Sequence, residues 1–166
     1  MLRKIFLVPL VSLAMLGLFG CSFEDTSHLE PTNYDSVNTL DGVSLHLVEG
    51  SNYSVEPTNE DAPTPTSLSY YYYNTSEKEL TYGQVFVIEE KINGKWFQVP
   101  TVIEDYGFED IGYIIQPQSD VVLTTEWEWL YGRLEAGHYR LITEVLDVEE
   151  LGSYDIYPLA IEFDIK

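Results

Sequence analysis

The sequence predicts an all-β fold, an antiparallel sandwich of about seven to eight strands behind a leader and a polar tether. Three observations lead there. Apolar and polar residues alternate with a period of two in short segments bounded by turn residues. No segment after residue 41 keeps a helical period of useful length. The 166 residues are 45% hydrophobic and 14% aromatic, with 13 Tyr, 7 Phe and 3 Trp, enough to build one core and too apolar for a disordered acidic chain.

The N-terminus is read first. Arg3 and Lys4 precede an apolar run, Ile5 to Gly20, interrupted only by Pro9 and Ser12, and the run ends at Leu18-Phe19-Gly20-Cys21. That order is a secretory signal peptide. The tetrapeptide resembles the lipobox of bacterial lipoprotein precursors. The resemblance implies cleavage after Gly20 and a diacylglycerol on the Cys21 sulfur, so that the protein leaves the cytoplasm and stays on the membrane. An uncleaved span would need roughly 20 residues, more than this run supplies. It is followed by acidic sequence rather than by Lys or Arg. Acyl chains add about 0.8 kcal/mol of membrane affinity per buried methylene, so two hold where one would exchange.

The formal charge is -20, and losing Arg3 and Lys4 with the leader takes it to -22. Such a chain repels phosphate backbones, which excludes nucleic acid as a partner. An acidic surface suits solubility, cations or a basic partner. Cys21 is the only cysteine, so with its sulfur lipidated no internal disulfide forms.

Ser22 to Asp41 is polar and without hydrophobic period. It reads as a flexible tether with an r.m.s. span of about 25 Å. The domain then occupies 42–166. Val43, Leu45 and Leu47 alternate with Ser44 and His46. Asn52 to Thr66, with Pro57, Pro63 and Pro65, reads as an exposed loop. Leu68 to Tyr73 is a short aromatic strand that must place rings on both faces. Tyr82 to Lys91 is β-rich. Asn93-Gly94 is the strongest short hairpin signal, returning through Trp96-Phe97-Gln98-Val99. Thr101 to Gln116 reads as an irregular crossing with a short strand from Tyr113. Val121, Leu123, Thr125, Trp127 and Trp129 form one inward set, and Tyr139, Leu141, Thr143 and Val145 another. In the last strand Leu159, Ile161, Phe163 and Ile165 face in, and Ala160, Glu162, Asp164 and Lys166 face out.

Leu134 to Leu141 resembles the tyrosine corner of immunoglobulin-like sandwiches. There a Tyr near the start of strand F, here Tyr139, bonds back to the preceding backbone two residues before an inward cysteine. Leu141 stands in the cysteine's place, with an expected apolar or aromatic partner near Tyr70. More widely, Gly42-Val43-Ser44-Leu45, Tyr82-Gly83, Asn93-Gly94-Lys95-Trp96, Trp127 to Gly132 and Gly137-His138-Tyr139-Arg140 are similar to the bacterial Ig-like domain of small surface lipoproteins. The resemblance implies an immunoglobulin-like fold and a surface location. It implies no activity, because the family offers no agreed catalytic residues to carry over.

The residues themselves offer little chemistry. His28 lies in the tether, His46 on the polar side of the first strand and His138 at a turn, none with a sequence setting that names a nucleophile. The acids Glu104-Asp105, Glu109-Asp110, Asp147 and Glu149-Glu150 are dense but match no calcium loop. Trp127 and Trp129 are expected in the core, and Tyr131, at a turn, on the surface. Tyr53, Tyr131, Tyr154 and Tyr157 are the candidate partner-binding residues, on loops at Asn52 to Thr66 and Leu151 to Tyr157 rather than on a sheet face. The expectation is a non-catalytic, lipid-anchored binding or scaffolding module of the cell envelope, without cofactor or metal. Its partners would be the membrane, through the anchor, and an envelope or extracellular protein or peptide. The alternatives are an acidic binder or inhibitor of cationic peptides or lysozyme-like enzymes, and a calcium-dependent module.

Overall fold

Alternating residues become strands wherever one face of a segment can be buried. A computed structural model describes residues 25–48, 64–150 and 152–166. Cys21, Tyr53 and most of the Asn52 to Thr66 loop lie outside the described residues. The strands are β1 (Val43–Leu47), β2 (Ser67–Asn74), β3 (Leu80–Ile92), β4 (Lys95–Gln98), β5 (Tyr113–Ile115), β6 (Ser119–Glu126), β7 (Gly137–Glu150) and β8 (Ser153–Ile165), with one helical turn, α1 (Glu128–Tyr131), between β6 and β7.

They form two antiparallel sheets, β1-β2-β6 and β4-β3-β7-β8, with β5 also paired to β3. In immunoglobulin lettering these are A-B-E and C′-C-F-G. The core between them contains Leu68, Tyr70 and Tyr72 from one sheet and Ile88, Leu141, Val145, Leu159 and Phe163 from the other. Each such side chain contributes about 1.5–3 kcal/mol by leaving water. Tyr72 faces the second sheet, where its hydroxyl meets Thr143 Oγ1 at 2.9 Å.

Local chemistry explains the turns. Asn93 and Gly94 adopt φ of 52° and 78°, the pair of left-handed residues a two-residue hairpin needs. Tyr139 Oη donates to the Glu135 carbonyl at 3.0 Å, and burial pushes its pKa up, so it stays protonated as the donor. Beside it, Trp127 and Tyr139 both stack on Phe163, at 5.5 and 5.8 Å between ring centres.

Several expectations are corrected, four of them in the placement of whole segments or turns. The inward period of two stops at Glu126. Leu130 and Tyr131 N–H groups both donate to the Trp127 carbonyl, so the chain turns helically there. Positions i, i+3 and i+4 then share a face. Trp127, Leu130 and Tyr131 are buried, whereas Trp129, expected inside, is 46% exposed. Of the loop expected at Leu151 to Tyr157, residues 153–157 are strand, because β8 begins at Ser153 and pairs with β7 up to Glu150. His138 is not at a turn; it is the second residue of β7, bonded to Asp164 at 2.7 Å and Glu162 at 2.8 Å.

The fourth correction concerns the tether. Residues 30–38 are strapped across the outer face of the second sheet. At the β4 edge, Thr32 N–H donates to the Trp96 carbonyl at 3.1 Å, and Gln98 N–H donates to Glu30 at 2.8 Å. Beyond β8, Asn38 N–H donates to the Pro158 carbonyl, and its side chain both donates to and accepts from the Ala160 backbone, at 3.1 and 2.8 Å. Under the strap, Arg140 binds the fully buried Glu89 carboxylate through Nε and Nη2, at 2.8 and 2.6 Å, and gives a third bond to Thr32 Oγ1. The guanidinium also lies 4.5 Å from the Trp96 ring. Ala160, placed outward by its alternation, is buried where Asn38 meets it.

Candidate functional site

The irregular part of β3 shapes the site. Register with β7 shifts between Tyr82 and Phe86, so Gly83, Gln84 and Val85 bulge from the ladder. Such bulges bend a strand and re-aim its side chains. Thr143 Oγ1 ties the bulge down by donating to the Val85 carbonyl at 3.2 Å.

Opposite the bulge runs β6, and between them lies a cleft of about 340 Å³. Its floor includes Tyr70 and Phe86, the first with its hydroxyl 3.1 Å from Thr125 Oγ1. Phe108 and Trp129 form a wall, 5.9 Å apart and nearly perpendicular, with Tyr106 packed edgewise behind both. Thr124, Thr125 and Gln84 supply polar groups, and Glu126 is the one charged residue among the described lining. A second cleft, of about 180 Å³, shares Gly83, Gln84 and Val85 and carries Glu109, Asp110 and Glu144. Concave aromatic walls with a few polar groups are the usual form of a binding site.

The residues singled out from sequence are scattered by comparison. Tyr131 is 6% exposed, contrary to the expectation of a surface ring. Its hydroxyl accepts the Ile88 N–H at 3.3 Å, and burial pushes its pKa up to about 12. Tyr154 is 53% exposed on β8, near Val148 and Ile156, which are also exposed. Tyr157 is half-buried against the core. Tyr139 and Leu141 stand at the corner, Leu141 fully buried in the same core cluster as Tyr70. Among the described residues, no group of three or more His, Cys, Asp or Glu is arranged to hold a metal ion, and no helix is long and apolar enough to cross a membrane.

Sequence reasoning missed Trp129, Phe108 and Glu126 as companions. The signal was present in part: Tyr106 and Phe108 are aromatic residues inside an acidic, glycine-containing crossing that has no period of its own to bury them.

No curated protein and no solved structure matches the chain. Residues 49–163 match the family profile described as a bacterial Ig-like domain, which spans most of the two-sheet body and includes the tyrosine corner and both clefts. With sheets ordered A-B-E and C′-C-F-G and that match over more than half its length, the chain belongs to the bacterial Ig-like domain family.

Proposed function

We propose that the protein is a non-catalytic binding or scaffolding module, held by lipid on Cys21 at the outer face of the bacterial cell membrane. Family membership carries the extracytoplasmic binding role, and the lipobox-like Leu18-Phe19-Gly20-Cys21 carries the anchor. The strap bears on how such a domain would stand. Glu30 is docked at the β4 edge only nine residues after Cys21, so the free reach is at most about 30 Å of extended chain. That edge would stay near the lipid surface, with the strap fixing which side of the sandwich faces it.

Replacing Cys21 with Ser is the test. Metabolic acyl labelling should mark the wild type alone, and fractionation should move the variant out of the membrane. A wild type without label, or a variant equally retained, would remove the anchor from the proposal. The acids along both clefts favour a second, narrower reading, in which the partner is cationic.

A further inference from the structure

Sheet edges present unpaired N–H and C=O groups that other strands can join. In the second sheet the N-terminal segment bonds part of each edge, with Glu30 and Thr32 at Gln98 and Trp96 of β4 and Asn38 at Pro158 and Ala160 of β8. The first sheet ends at β6, beyond which no strand pairs among the described residues. Charges sit at positions 120 and 126 of that strand, while Val121, Val122, Leu123, Thr124 and Thr125 between them are uncharged. Val122 is 63% exposed. The charged residues that usually guard an edge are therefore missing from its middle.

This open edge borders the larger cleft, to which Leu123, Thr124, Thr125 and Glu126 contribute. A strand added along β6 would direct alternate side chains toward the space between the sheets. That space has an aromatic wall, Trp129 and Phe108, and the exposed Glu126 at its β6 rim. The neighbouring cleft across the bulge adds Glu109, Asp110 and Glu144, and among the described residues no Lys or Arg lines either. Arg133, the closest cation in sequence, is already paired with Glu128 at 3.2 Å. Aromatic faces and carboxylates together favour a cation over an apolar or anionic group.

We propose that β6 and its cleft form a docking site for an extended segment of another protein, which pairs with the β6 edge and places an Arg or Lys side chain against Trp129 and Glu126. The site rests on the reading of this domain as a binding module and specifies the chemistry of its partner.

The test uses the full chain, isotope-labelled in mild detergent, and capped pentapeptides Thr-Val-Xaa-Val-Thr with Xaa either Arg or norleucine. The Arg peptide should shift the β6 backbone amides and the Trp129 indole resonance. The norleucine peptide should bind at least fivefold more weakly. Glu126→Gln and Trp129→Ala should each weaken the Arg peptide severalfold while leaving the melting temperature near wild type, since both side chains are exposed. Raised salt should weaken the Arg peptide more than the norleucine peptide. Equal binding of the two peptides would overturn the proposal, as would shifts confined to the β7–β8 hairpin. Arginine amide binding as tightly as the peptide would also overturn it, by removing the strand. A protein captured from cells equally by wild type and by the Glu126→Gln, Trp129→Ala double variant would reject this site and leave the binding-module reading standing.

Discussion

The outer rim of β8 and the outer rim of β6 are chemically the same problem, a row of backbone donors and acceptors at the end of a sheet. At β8 the chain answers it with its own N-terminal segment, through Asn38 and the Pro158 and Ala160 backbone. At β6 no described strand answers it, and the rim borders an aromatic cleft with one acid, Glu126, in its described lining. The strapped side covers a buried ion pair and a conformation that needs a left-handed residue, φ 59° at Asn38. The β6 side presents exposed Val122 and Thr124, with Trp129 beside them. The buried ion pair lies under the strap, and the rim proposed above for a partner belongs to the other sheet.

The comparison is broken most directly at Arg140. Replacing it with Met strands the Glu89 charge in a fully buried position and should cost about 3–5 kcal/mol in urea unfolding. Converting Glu89 to Leu in the same chain should recover much of that loss, because the uncompensated charge is gone. A single variant as stable as wild type would show that the strap seals nothing.

Asn38→Ala comes next, at about 2 kcal/mol. It removes both side-chain bonds to Ala160 and puts a Cβ-bearing residue without local hydrogen bonding into the left-handed region. Limited proteolysis should cut 30–38 faster in this variant than in wild type, and unchanged cutting would argue that the strap is held elsewhere.

Tyr139→Phe lies away from both rims and serves as the reference. It should lower the urea midpoint by an amount worth about 1 kcal/mol, from loss of the bond to Glu135. An unaltered midpoint would deprive the corner of its stabilising role.

A weaker effect is expected at His138, on the strapped sheet's outer face. Hydrogen bonds to Asp164 and then Glu162 raise its pKa above the ordinary 6.5, with partial burial opposing them. The folded state therefore favours the imidazolium. Its contribution is complete below pH 6.5 and is lost as the pH rises through the raised value. Urea midpoints should fall across that window in wild type, and His138→Gln should flatten the fall. Parallel profiles for the two chains would remove His138 as its source.

The smallest change belongs to the open rim. Val122→Lys should alter stability by no more than about 0.5 kcal/mol, since the side chain is mostly in water. A loss several times larger would mean that β6 is covered in the folded protein and the contrast between the rims is false.

What was legible in the sequence was whatever a few neighbouring residues decide. Alternation marked β1, β6 and the second half of β8 because a strand's side chains reverse face at each residue, and Asn93-Gly94 marked its hairpin because those residues tolerate positive φ. The spacing from Glu135 to Tyr139 to Leu141 is equally local. Trp129 and Tyr131 depart from expectation even though i, i+3, i+4 spacing is written from Trp127 onward, since one helical turn after a strand is too short to outvote the preceding period. The strap, the uncovered rim and the cleft required tertiary structure. Asn38 meets Ala160 across 122 positions and Thr32 meets Arg140 across 108, and nothing near either residue names its partner. Whether a polar segment floats as a tether or lies across a sheet depends on the face that distant strands offer it. The same holds for β6, whose own sequence makes it a strand but does not say that the sheet ends there.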